Sequence, residues 1–294
     1  MRCNCPYVVC PYHGNCKACI AHNLETHDMA HCMEKVAMER GAKMPHRMPE
    51  SVYLEQDYEV MSRKSAELIA QVVKEKPDAL ISLAAGSTAI RTYAILKEMS
   101  DAGEVNLTKA RFVALDEWLD LEDESENCDA FMRKHFYGPL NIPDDRIVRF
   151  DIHANDLDKA CKDVDEYIFS CGGIDVMLLG VGMNGHLGLN EPYESFKDYA
   201  KVVELSETTM QIGQKYFTDG MKLTRGITLG VHHMFECKRT ILQISGSHKA
   251  DITDKLLRTA PTEAIPATVL KLLPHGTVVL DRDAAANCMD LLEA

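Results

Sequence analysis

The chain has 294 residues, with 32 Lys and Arg against 45 Asp and Glu, a net charge of −13, and 46% apolar against 26% charged residues. That balance excludes wholesale disorder, and the length fits one large or two ordinary domains. The acidity argues against a nucleic-acid or anionic-membrane partner but leaves room for a small phosphorylated substrate, which needs only two or three local donors.

Residues 1–46 stand apart. They hold Cys3, Cys5, Cys10, Cys16, Cys19 and Cys32, six of the 11 cysteines, together with His13, His22, His27, His31 and His46. Five Lys and Arg face four Asp and Glu there, a net +1, which leaves −14 for the remainder. The N-terminus lacks the apolar stretch of a secretory signal, and no apolar run approaches membrane-spanning length, so the chain is expected to be cytoplasmic, where disulfides are rare. The spacing of Cys3, Cys5, Cys10, His13, Cys16, Cys19 and His22 suits tetrahedral zinc, with seven candidates for four places; an iron–sulfur cluster and a tail of reactive thiols are the alternatives. Two prolines in 43–49 read as a linker to a second part, 47–294.

Beyond it the pattern alternates. Apolar residues at helical spacing over 57–75 predict a helix that Pro77 stops. The run 79–84 reads as a strand, followed by Gly86, Ser87 and Thr88 and a helix over 90–99. A strand over 111–115 ends at Asp116 and Glu117; helices follow over 127–137 and 156–170. The apolar strand 174–179 runs into a glycine-rich loop, 207–216 reads as a helix, and strands over 239–245 and 277–280 flank a helix near 249–257. Wholly apolar strands alternating with helices predict an α/β protein, a Rossmann-like parallel sheet with helices on both faces, plus the small N-terminal Cys/His-rich segment.

Ligands of such sheets bind beyond the carboxyl ends of the strands, so the loops just after the strands matter most. Gly86-Ser87-Thr88 opens a helix and can cradle an anion on the helix N-terminus, or it is a capped turn. Gly246-Ser247-His248-Lys249 repeats the arrangement with a lysine. Asp116 or Glu117 can serve as a general base, or the two are a solvated pair before an acidic loop. The loop 180–185 matches the spacing of a dinucleotide fingerprint, but Gly188 and Pro192 forbid the helix that fingerprint must open, so nucleotide binding is rejected there. What remains is a loop carrying His186, Asn190 and Glu191, in which an imidazole beside a carboxylate can move protons near neutral pH.

Together the stretches KPDALISLAAGST (76–88), FVALDEW (112–118), GIDVMLLGVGMNGHLGLNEP (173–192) and ISGSHK (244–249) resemble the glucosamine-6-phosphate deaminase/isomerase family, over about 54–286. Within it LDEW (115–118), TRGITLG (224–230) and AIPA (264–267) look most like the galactosamine-6-phosphate branch. The 6-phosphogluconolactonases share the fold and a similar loop but usually lack the following Asn-Glu-Pro. The resemblance implies conversion of an amino sugar 6-phosphate to a ketose 6-phosphate and ammonia, without a metal or organic cofactor in catalysis. A lactonase, another sugar-phosphate isomerase and a non-catalytic sugar-phosphate sensor are the rival readings. By motif, Asp116 would move the C2 proton to C1, His186, held by Glu191, would open the ring, and Glu117 would support the site. Gly86, Ser87, Thr88 and Lys249 would hold the phosphate. Asn184 stands where many members have Asp, and Asp198-Tyr199-Ala200 where many carry a phosphate-binding Ser-Arg-Thr; Arg225, ahead of Lys201 and Arg91, is the expected substitute. The family occurs both as monomers and as larger assemblies, so a homo-oligomer is an open expectation.

Overall fold

The computed structural model describes residues 15, 17–19, 48–217 and 222–293. The chain divides after Arg47, and the fold set out here is that of Met48–Ala294. Of the seven proposed zinc ligands only Cys19 falls within the described residues, so that expectation lies outside them.

A seven-stranded parallel sheet forms the centre. Its strands are β1 (Ser51–Glu55), β2 (Leu80–Leu83), β3 (Arg111–Ala114), β5 (Ile147–Val148), β6 (Val176–Leu179), β9 (Thr240–Ile244) and β10 (Gly276–Asp281), in the order β1-β10-β9-β6-β2-β3-β5. Every residue of β2, β6, β9 and β10 is buried, as a parallel sheet covered on both faces requires. Helix α1 (Tyr58–Glu75) starts where the Asp57 carboxylate accepts from the Val60 N–H, and it ends before Pro77. With α2 (Ile90–Asp101) it contributes Met61, Ile69, Tyr93 and Leu96 to the main core, against Ile81, Phe112 and Val279 of the sheet.

The predicted helix over 127–137 is one α-helical turn, α3 (Cys128–Met132), that widens into a π-turn over Arg133–Tyr137. The widening lets both Phe136 and Tyr137 reach the rings beside them: Phe112 lies 5.4 Å from Phe136 and 5.6 Å from Tyr137, edge-on to each. The predicted helices over 156–170 and 249–257 appear as α4 (Leu157–Ser170) and, after the short α6 (Val231–Glu236), α7 (Ala250–Arg258).

The sequence reading placed Asp116 and Glu117 at the end of a strand. Instead the chain leaves the parallel sheet at Leu115 and starts a new strand, β4 (Asp116–Leu119). This strand joins β7 (Lys201–Glu204) and β8 (Arg225–Thr228) in an antiparallel sheet of order β4-β8-β7. Leu115 hinges the two sheets, its carbonyl accepting from the Leu229 N–H at 2.8 Å. A smaller core of Trp118, Leu189, Val203, Phe217 and Leu223 fills this second sheet. Beside it the expected helix over 207–216 is α5 (Glu207–Gly213) with a tighter final turn, Gln214–Tyr216.

Candidate active site

Because the central strands are parallel, β2, β3, β6 and β9 all deliver their following loops to one edge of the sheet. Those loops surround a cavity of about 150 Å³ lined by Gly86, Ser87, Thr88, Asp116, His186 and Lys249. Six of the residues singled out from the sequence are thus brought together, and they fall into two ends.

At the acid–base end, Asp116 opens β4 opposite Thr228. Burial, reinforced by the neighbouring Glu117 charge and opposed by the Cys128 thiol, pushes its carboxyl up to about 7. The loop after β6 closes over it at Gly188, whose φ is +58°; a Cβ there would sit 2.9 Å from Thr228 Oγ1 and 3.4 Å from Asp116 Oδ2. Glycine therefore lets the backbone pass directly over the carboxylate. Glu117, one residue on, faces away from that loop. Its Oε1 accepts from the N–H groups of Trp118 and Cys128 at 2.8 and 2.9 Å, and its Oε2 from that of Asp129 at 2.9 Å. These bonds tie β4 to the start of α3, while burial raises the Glu117 pKa against them. Glu117 does line a second cavity, of about 220 Å³, which shares Leu115, Asp116 and Cys128 with the first.

His186 is held differently from the direct pairing expected. Its Nδ1 lies 3.9 Å from Glu191 Oε2 but 3.1 Å from Thr209 Oγ1. Asn184 does not touch the imidazole ring. Its Oδ1 accepts from the His186 backbone N–H at 3.1 Å, and its Nδ2 donates to Glu191 Oε2 at 2.8 Å and to Ser206 Oγ at 3.1 Å. Ser206 Oγ accepts in addition from the Thr209 N–H and donates to Thr209 Oγ1 at 3.1 Å. Thr209 Oγ1 keeps its proton and a second lone pair, so it can pair with Nδ1 in either tautomer of the ring. Burial lowers the His186 pKa, Glu191 opposing and Lys249 adding to the effect, so the imidazole is neutral near pH 7.

At the other end two helix N-termini converge. Ser87–Ala89 form the turn that leads into α2, and Ser247–Lys249 the turn that leads into α7. The first N–H groups of such helices have no partner within the helix and favour an anion. Asp281 fixes the second turn, accepting from Ser245 Oγ at 2.5 Å and from the Gly246 N–H at 3.0 Å; Gly246 holds φ +89°. Lys249 Nζ donates to the Val181 carbonyl at 2.7 Å, and burial, with the charge of Lys215, pulls its pKa down to about 8.

A family described as glucosamine-6-phosphate isomerases/6-phosphogluconolactonase matches residues 55–279. The chain belongs to this family. It is 35% identical over 236 residues to a glucosamine-6-phosphate deaminase of Thermoanaerobacter pseudethanolicus, covering 80% of this chain and 93% of that one. With the enzyme of the same name from Bacillus velezensis it shares 36% over 232 residues, 78% of this chain and 96% of the other. Among solved structures, a monomeric glucosamine-6-phosphate deaminase of the NagB superfamily superposes with a TM-score of 0.77 at 34% identity, covering 81% and 99% of the two chains. A 6-phosphogluconolactonase from Leishmania guyanensis shares the fold, with a TM-score of 0.65 at 19% identity over 82% and 99%.

Within the family frame, the substitute expected for the missing arginine is corrected. Arg225 does not line the cavity; it lies at the start of β8, where its Nε and Nη2 grip both oxygens of Asp120 at 2.8 and 2.9 Å. Lys201 is taken by Glu194 and Asp198, and Arg91 by Glu59 and Glu98, and neither lines the cavity. A cation that does line it, beside Lys249, is Lys215, in the turn after α5. Thr209 was likewise missed; His248, named with the second turn but given no role, lines the cavity too. For Thr209 and Lys215 no strand-end motif could have flagged them, since α5 belongs to the antiparallel part. Among the described residues no cluster of three or more His, Cys, Asp or Glu could hold a metal ion, and no helix is long and apolar enough to cross a membrane.

Proposed function

We propose that the chain converts an amino sugar 6-phosphate to a ketose 6-phosphate and ammonia, with Asp116 as the carbon base and His186 as the ring-opening group. The carrying observation is one cavity with the half-buried Asp116 carboxylate and the His186 imidazole at one end, and two helix N-termini with Lys249 and Lys215 at the other. The relatives named glucosamine-6-phosphate deaminase support the same chemistry.

His186 takes the proton of the anomeric hydroxyl and returns one to the ring oxygen, which a neutral imidazole can do near pH 7. In the open aldehyde Asp116 removes the C2 proton, giving a 1,2-enolamine, and delivers a proton to C1. The resulting C2 iminium adds water and expels ammonia, leaving the ketose. A carboxylate with its pKa near the working pH is strong enough as a base and still ionised in half the molecules or more above pH 7. Every proton transfer falls to a side chain of the cavity, and none calls on a cofactor. Lys249 and the N–H groups of the two turns hold the phosphate, with Lys215 in the role of the missing arginine.

The test is ammonia release from glucosamine-6-phosphate and galactosamine-6-phosphate, assayed side by side. Release from one or both supports the reading, and the better substrate names the sugar. No release from either, with hydrolysis of 6-phosphogluconolactone, overturns it.

A further inference from the structure

Gln243 sits on β9, in the middle of the sheet, and is 1% exposed. A glutamine there is unusual among neighbours such as Ile241, Leu242 and Ile244, all of them buried. Its Oε1 accepts from Thr92 Oγ1 of α2 at 2.9 Å, which fixes the side chain toward the start of that helix. Its Nε2 is buried and has no hydrogen-bond partner. An amide with two unmet donors costs free energy that an aliphatic side chain in the same place would not. The same residue lines the cavity, alongside Thr88, Ala89 and Lys249.

The first helix N-terminus and the orphan amide are independent observations that point to one occupant. The turn offers N–H groups to an anion, and the amide beneath it offers two unmet donors while its Oε1 already accepts from Thr92. A cation or an apolar group would leave the amide unmet.

We infer that Gln243 is part of the anion site, its Nε2 donating to a substrate phosphate oxygen, directly or through one bound water. The inference rests on the assignment of this end of the cavity to the phosphate. It adds a donor from the sheet itself, below the two loops, so the phosphate is held from the floor as well as from the walls.

Two variants test it, Gln243→Leu and the double variant Thr92→Val/Gln243→Leu. The second removes both partners of the Thr92 bond, so no hydroxyl is left unpaired. The probes are inorganic phosphate, by its stabilisation of the protein in a thermal titration, and the amino sugar phosphates, by KM and kcat. Both variants are expected to lose about tenfold in phosphate affinity, as for one hydrogen bond to a charged group. KM should rise by a similar factor with a smaller fall in kcat, while the ligand-free double variant melts no lower than the wild type. Unchanged phosphate affinity in either folded variant overturns the inference, as does a loss of melting temperature with KM unaltered. A wild type that binds phosphate through Gln243 but releases no ammonia would refute the proposed reaction and leave this site standing.

Discussion

The two ends of the cavity are built from different parts of the molecule. The acid–base end lies where the parallel sheet hands the chain to the antiparallel one: Asp116 opens β4, and His186 is braced through Asn184, Ser206 and Thr209. The anion end belongs to the parallel sheet and its helices, as a floor and two turns. At the first end Asn184 serves as a brace that needs no charge. The second draws its charge from Lys249 and Lys215. Proton transfer needs particular groups at particular atoms, whereas an anion needs only enough donors, so the binding end is freer to vary.

If the ends differ in this way, substitutions at one should act on kcat and at the other on KM. The largest effect is expected from Asp116→Asn, a loss of about 10²–10⁴ in kcat with KM little changed, measured by ammonia release. The same variant carries a stability signature. The Asp116 carboxyl is raised from 3.8 to about 7 on folding, so the native state binds more protons than the unfolded chain between those values. Stability from this group is therefore full at pH 4 and falls as pH rises to about 7. Asp116→Asn should melt higher than wild type at pH 8 and level with it at pH 4; an equal gain at both pH values would show that the carboxyl is not strained by burial.

Lys249→Met comes next, with KM raised roughly 10–100-fold, the worth of a charged hydrogen bond. Lys215→Met should cost less, roughly threefold to tenfold in KM, as a more exposed charge. It has a second readout. Lys215 depresses the Lys249 pKa, about 8, so its removal should move the alkaline limb of substrate binding to higher pH. A limb that stays put would separate the two lysines. The smallest effect is expected from Thr209→Val, a few-fold fall in kcat as His186 Nδ1 loses the partner that orients the ring. A change in KM alone would place Thr209 at the wrong end.

The parallel sheet was legible because wholly apolar runs such as LISL (80–83) and VMLL (176–179) have no other use than a strand covered on both faces. The loops that follow them could then be placed at one edge without coordinates. The antiparallel sheet was not legible. KVVE (201–204) and RGIT (225–228) are four residues each, too short for alternation to declare itself, and DEWL (116–119) follows β3 after a single residue, so the two strands read as one. That merger hid the reason Asp116 and Glu117 act differently: on a strand they face opposite ways, one to the loop at Gly188 and one to the N-terminus of α3. Arg225 was misplaced for a related cause. Its motif matched, but the pairing partner Asp120 lies 105 residues away in sequence, beyond any local pattern.

The most direct measurement is ammonia release from both amino sugar 6-phosphates at pH 7.5, by wild type and Asp116→Asn under the same conditions. Steady release by the wild type, in step with ketose 6-phosphate, and its loss by at least about a hundredfold in the variant is the predicted result. Near-normal turnover by Asp116→Asn, or no ammonia from either sugar with the wild type, would contradict it.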